Sequence, residues 1–76
     1  MANVILPELG EGIQKAIVAC WHKNIGEEFS LDDDLVEVVT DKASFNIPAI
    51  KSGKIKQILI QEGKEAKVGE VLAVIE

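Results

Sequence analysis

An all-β fold, a flattened barrel or sandwich of two four-stranded sheets with internal pseudo-two-fold symmetry, is what this 76-residue sequence predicts. Three observations carry the prediction. Apolar runs are short and are repeatedly interrupted by glycine, proline or asparagine. No window holds a helical apolar period long enough to matter. The second half of the chain repeats the apolar and turn pattern of the first. Four strands with one apolar face cannot bury that face alone, so the two halves are expected to cover each other.

Val4 to Leu6 reads as the first strand, stopped by Pro7 with Gly10 and Gly12 close behind. Ala16 to Trp21 leads to a turn at Asn24 to Gly26, followed by a brief extended piece at Glu28 to Leu31. Leu35 to Thr40 runs into a turn at Asp41-Lys42, and Ala43 to Ile47 returns from it to Pro48. Lys54 to Ile60 runs to Gly63, Ala66 to Val68 is a second brief piece, and Val71 to Ile75 completes eight strands. Trp21 and Phe45 read as core anchors, and Cys20 as a small buried or half-buried side chain on one strand face.

The repeat has an offset of 37, pairing Gly26 with Gly63, Leu31 with Val68, Leu35 with Leu72, Val18 with Ile55, Trp21 with Ile58 and Val38 with Ile75. Earlier in each half the offset reads as 41, pairing Val4 with Phe45, Leu6 with Ile47, Pro7 with Pro48 and Gly12 with Gly53. The first half then carries four extra residues between Gly12 and Val18, so Ile13 to Ala16 is expected in an exposed loop, where insertions cost little. Lys23 interrupts the match, falling opposite Ile60. Either the register shifts there, or Lys23 lays its alkyl stem on the core edge and keeps its ammonium in water. Under the approximate two-fold, Asp41-Lys42 sits at one pole and both termini at the other.

Length allows one domain at most, spanning residues 1–76, with a small core. Clean apolar stretches such as Val71 to Ile75 are far too short to cross a bilayer, and no cationic segment with an apolar run and a cleavage site opens the sequence. No membrane partner is expected. One cysteine excludes an intrachain disulfide or a cysteine metal cluster within one copy and fits a reducing compartment. Residues 1–50 hold three Lys and nine Asp or Glu, net −6, while residues 51–76 hold five Lys and four Glu, net +1. Such an acidic half repels nucleic acid and favours a basic protein surface. Asp32, Asp33 and Asp34 read as a solvated turn.

Lys42 stands out by position: an amine at a hairpin tip is open to a modifying enzyme while the strands fix its surroundings. His22 has no serine, carboxylate or second histidine at a catalytic or metal-binding spacing. No phosphate-binding glycine loop and no nucleophile with an adjacent base is present, so the fragment is not expected to be a catalyst itself.

The stretch Glu37-Val38-Val39-Thr40-Asp41-Lys42-Ala43-Ser44-Phe45-Asn46-Ile47-Pro48 resembles the lipoylation hairpin of 2-oxo acid dehydrogenase complexes, whose Asp-Lys-Ala core carries the modified lysine. Leu6-Pro7-Glu8-Leu9-Gly10-Glu11-Gly12-Ile13 is similar to the family's opening strand and loop; Trp21, Gly53, Gly63 and Gly69 fall where members have tryptophan and turn glycines. The resemblance spans the entire chain. Two departures are Gly26-Glu27, where many members have Gly-Asp, and Lys23, where they have an aliphatic residue. Biotin-accepting relatives bracket their lysine with methionines, whereas the only methionine here is Met1. The glycine cleavage H protein is longer and carries helical elements absent here.

The resemblance implies a lipoyl carrier domain, with lipoic acid joined to Lys42 through an amide that removes its positive charge. It implies that Asp41 and Ala43 serve recognition by a lipoate-attaching enzyme and a thiamine-dependent 2-oxo acid decarboxylase. The loop around Glu11, Gly12 and Ile13, reaching to Lys15, would be a second contact if the sandwich is wound as in the family. In such complexes the arm takes an acyl group from the decarboxylase, delivers it to coenzyme A at an acyltransferase core, and is reoxidised by dihydrolipoamide dehydrogenase. The expected host is the N-terminal part of a longer dihydrolipoamide acyltransferase, in a branched-chain 2-oxo acid or pyruvate dehydrogenase complex of the bacterial cytoplasm or mitochondrial matrix. The isolated domain is expected to be a monomer. Two other readings are a biotin carrier domain of a carboxylase and an unmodified β-sandwich binding module, in which replacing Lys42 has no biochemical effect.

Overall fold

Short apolar and β-branched runs recur along the chain, and in the computed structural model, which describes residues 1–76, these stretches pair as eight strands with no helix. The strands are β1 (Ala2–Ile5), β2 (Lys15–Trp21), β3 (Glu28–Phe29), β4 (Asp34–Val39), β5 (Ser44–Pro48), β6 (Gly53–Ile58), β7 (Glu65–Lys67) and β8 (Val71–Ile75). They form two four-stranded sheets, ordered β1-β8-β6-β3 and β5-β4-β2-β7, with every pairing antiparallel. Each expected strand is present, with small shifts at its ends. Pro48 falls inside β5, where an edge strand tolerates its missing N–H, and Leu31 lies outside β3, largely exposed.

Fifteen residues are buried, all of them apolar. Leu35, Val36 and Val38 of β4 meet Leu72, Ala73 and Ile75 of β8 in one cluster with Val18 and Ile55. The aromatic residue in this core is Phe29, not the expected Trp21 and Phe45, which pack on it only partly buried. Trp21 is held at the rim because its indole N–H donates to the carbonyl of Ile60 (2.9 Å). Phe29 fits inside because it lies opposite Gly53, which has no side chain.

The internal symmetry is closer than the sequence pattern, and it corrects one offset. Gly26 N–H donates to Ile55 O as Gly63 N–H donates to Val18 O, both at 2.8 Å; His22 N–H to Leu35 O is matched by Leu59 N–H to Leu72 O, also 2.8 Å. Both glycines have φ near +87°, 88° and 86°. Bulges recur at Ala19 of β2 and Lys56 of β6, each skipping one residue so that the following Trp21 and Ile58 turn back toward the core. In the first strand of each half, however, Ala2 pairs with Ile75 as Phe45 pairs with Val38, and Val4 with Ala73 as Ile47 with Val36. The offset there is 43, not 41. Val4 corresponds to Ile47 and Leu6 to Ala49, all four buried, while Gly53 corresponds to Ala16 rather than Gly12. The prolines and glycines that suggested 41 sit at non-equivalent places. The first half therefore carries six extra residues, in the loop between β1 and β2, and of the expected loop segment only Ile13 and Gln14 belong to it, since Lys15 and Ala16 open β2.

Lys23 resolves by its stem. The equivalent bulges leave no register shift peculiar to its half, its side chain is only 24% exposed, and its ammonium lies 3.8 Å from Glu27 and 4.0 Å from Asp33. Asp33 is more than a solvated turn residue, because its carboxylate accepts the Ser30 N–H (2.9 Å); Glu70 does the same for Lys67 in the other half (2.9 Å).

The hydrogen bonds also place the two poles. Val68 N–H to Gln14 O and Gly69 N–H to Leu6 O tie the Val71 end of β8 to the start of β2, the end of the sandwich that holds the β4–β5 hairpin. Glu76 pairs with Lys54 in both directions (3.0 Å each), beside Glu28 and Gly53, at the other end.

Because Leu35 and Leu72 are both fully buried and symmetry-equivalent, Leu35→Ala and Leu72→Ala should each destabilise the domain by about 3 kcal/mol, as for other core truncations. Urea unfolding of the two variants checks this, and costs differing by more than about 1.5 kcal/mol would show that the halves do not share the core equally.

Candidate functional site at the β4–β5 hairpin

Strands β4 and β5 pair from Asp34–Pro48 up to Val39–Ser44, and the chain reverses through Asp41-Lys42. Asp41, Lys42 and Ala43 are exposed, and none enters the core cluster. Neither Asp41 nor Lys42 has a positive φ, so the turn lacks the left-handed residues that ordinarily match a two-residue loop to strand twist. Thr40 closes it instead. Its N–H donates to Ala43 O (2.8 Å), its hydroxyl donates to the same oxygen (3.0 Å), and its Oγ1 accepts the N–H groups of Lys42 and Ala43 (3.1 Å each).

The Lys42 ammonium makes no ion pair; the three salt bridges of the molecule involve Lys15 with Glu65 and Lys23 with Glu27 and Asp33. It reaches instead along the β1–β2 loop, where a side chain placed on Gly12 would come within 3.7 Å of Nζ. Gly12 has φ +82°, a conformation costly for any residue with a Cβ. An open cleft of about 580 Å³ separates the loop from the hairpin, lined on one side by Gly12, Ile13 and Gln14 and on the other by Val39, Thr40 and Asp41.

Of the residues expected from the sequence, Lys42, Asp41 and Ala43 stand together on the tip, Gly12 and Ile13 face Asp41 across the cleft, and Gly12 also lies beside the Lys42 ammonium. Glu11 does not line this cleft; it borders a second depression with Glu8, Gly10 and Lys67 on the far side of the loop. Thr40 is the residue that sequence reasoning missed. The available signal was a threonine just before a two-residue turn without glycine or asparagine, where a hydroxyl is the remaining means of satisfying the turn amides. His22 Nε2 lies 2.9 Å from Asn46 Oδ1 on the exposed face of the β2-β4-β5 sheet, and Cys20 is half-buried.

The tip fits a covalently attached acyl arm. An exposed amine with no charged partner is free to enter an amide, and the side chains beside it, Asp41 and Ala43, are short. Pointing into water, an arm there displaces nothing of the core.

Comparison with known proteins shows the family to which the fold belongs. The family model described as "Biotin-requiring enzyme" (biotin–lipoyl) matches residues 2–75. The solution structure of the lipoyl domain of the 2-oxoglutarate dehydrogenase complex from Azotobacter vinelandii superposes with a TM-score of 0.80 and 32% identity, covering 100% of this chain and 96% of that domain. A dihydrolipoyllysine-residue succinyltransferase component of the 2-oxoglutarate dehydrogenase complex from Bartonella vinsonii is 37% identical over 97% of this chain. A dihydrolipoyllysine-residue acetyltransferase component of the pyruvate dehydrogenase complex from Staphylococcus aureus is 37% identical over 93%. The chain spans only 18% and 16% of the length of those two relatives. A single-chain, multi-domain long-chain acyl-CoA carboxylase shares the fold, with a TM-score of 0.75 at 19% identity over 97% of this chain and 8% of that one.

Proposed function

The chain belongs to the biotin–lipoyl family, and within it resembles the lipoyl domains of 2-oxo acid dehydrogenase acyltransferases; from that premise we propose that it is a lipoyl carrier whose attachment residue is Lys42. The observation that carries the proposal is the exposed, unpaired amine at the tip of a hairpin whose strands are anchored in the core. Lipoic acid, when bound, supplies a strained cyclic disulfide that takes up and passes on an acyl group. The chain's own residues present it. Strands β4 and β5 hold the amine at one pole, Thr40 fixes the turn, and Gly12 leaves the space beside Nζ clear.

In this proposal the domain is one part of a longer dihydrolipoamide acyltransferase, as in the relatives whose chains it matches in part. A thiamine-dependent decarboxylase would load the arm, the acyltransferase core would unload it, and dihydrolipoamide dehydrogenase would reoxidise it. Tethering makes each transfer effectively intramolecular. Asp41 and Ala43, flanking the amine, together with Gly12 and Ile13 across the cleft, form the surface these enzymes would read. The relatives include the pyruvate complex favoured from sequence and add the 2-oxoglutarate complex.

The test is the intact mass of the domain after incubation with lipoate ligase, lipoate and ATP, with a biotin ligase reaction in parallel. One lipoyl addition and no biotinyl addition is expected. Modification by the biotin ligase alone would make the domain a carboxylase carrier, and modification by neither would leave a binding module.

A further inference from the structure

We infer that Thr40 is a positioning residue for Lys42: its side chain, not the fold's core, fixes the conformation in which the amine is presented. The inference rests on the carrier reading above. Two-residue hairpin loops normally take positive φ at one or both turn residues, and Asp41 and Lys42 take it at neither. Such a turn does not match the twist of the strands it joins and tends to splay. Thr40 offsets that tendency through one hydroxyl, which accepts the Lys42 and Ala43 N–H groups at 3.1 Å each and donates to Ala43 O at 3.0 Å. A hydroxyl has one hydrogen and two lone pairs, so this one is fully used.

No other side chain hydrogen-bonds the backbone between Asp41 and Ser44, and all four residues are exposed. Removing the hydroxyl therefore leaves the core and the strand register in place while the tip gains alternative conformations. An enzyme that reads the Asp41-Lys42-Ala43 backbone then finds its competent conformer only part of the time, and its apparent affinity falls by that fraction. Turnover, once the domain is bound in that conformer, is little changed. The expected signature is a raised KM with a preserved kcat.

Thr40→Val tests this, because valine keeps the shape and β-branching of threonine without its hydrogen bonds, and Thr40→Ser restores the hydroxyl. Lipoylation is followed by intact mass at varied domain concentration, and amide hydrogen exchange is measured by NMR. Thr40→Val should raise the KM for lipoate ligase roughly tenfold with kcat within about twofold of wild type, and Thr40→Ser should return KM to within about threefold. Exchange should accelerate at the Lys42 and Ala43 amides and stay unchanged at Val18 and Ile55. A Thr40→Val domain with wild-type KM and protected tip amides would overturn the inference, as would a serine variant no better than valine. Failure of the wild-type domain to accept a lipoyl group at all would instead overturn the carrier reading, and this inference with it.

Discussion

Lys42→Arg is expected to give a fully folded domain that lipoate ligase no longer modifies. Arginine keeps the positive charge and the length of the side chain, but its guanidinium stays protonated and is a poor nucleophile for amide formation. Lys42 contributes nothing to the core and enters no salt bridge, so the unfolding midpoint should move by no more than an exposed substitution ordinarily causes, within about 0.5 kcal/mol. Seven other lysines remain in the chain, two of which, Lys15 and Lys23, are engaged by carboxylates. None of the seven sits at a hairpin tip closed by a side chain as Thr40 closes this one. Loss of mass addition to background, with an unchanged unfolding curve, separates a modified carrier from a module that only binds. Addition at the wild-type level would mean that another lysine takes the arm.

What the sequence makes legible follows from where the physics is local. Strand positions were readable because short apolar runs stopped by glycine, proline or asparagine admit few alternatives; the hairpin tip was readable because Asp41-Lys42 lies between two such runs. The two-residue error in relating Val4 and Leu6 to the second half arose from matching Pro7 to Pro48, residues alike in type that occupy different places in the ladder. Only the pairing of Ala2 and Val4 with β8 shows that Leu6 answers to Ala49. The choice of core aromatic depended on contacts far apart in sequence. Phe29 is buried because Gly53, on another strand, leaves room for it, and no local pattern around either residue reports that. At the site, Lys42 was visible by its position, whereas the hydrogen bonds of Thr40, for which the sequence offered only a threonine before a turn without glycine or asparagine, and the clearance beside Gly12 became visible in the structure.

Gly53→Ala should be the most damaging glycine substitution in the chain, although Gly53 has no positive φ while Gly26, Gly63 and Gly69 do. At Gly26, Gly63 and Gly69 an added Cβ meets nothing within 4 Å, so alanine there costs only the left-handed backbone penalty, about 1 kcal/mol. At Gly53 the added Cβ falls on the carbonyl oxygen of Glu76 and lies 3.3 Å from its carbon and 3.5 Å from Phe29 Cζ. Two movements relieve the clash, and both are costly. Displacing Glu76 breaks its paired hydrogen bonds with Lys54 and loosens Ile75, which is fully buried and joins β8 to both β1 and β6. Displacing β6 instead drives Gly53 against Phe29 and the core. Overpacking and lost bonds together put the expected cost at about 3 kcal/mol, against a total stability on the order of 4–11 kcal/mol for a chain of this length. Urea unfolding of Gly53→Ala beside Gly26→Ala measures the difference directly. Near-equal midpoints would mean that the end of β8 yields without disturbing Ile75, so that the pole opposite Lys42 is held by β1 rather than by the Lys54–Glu76 pair.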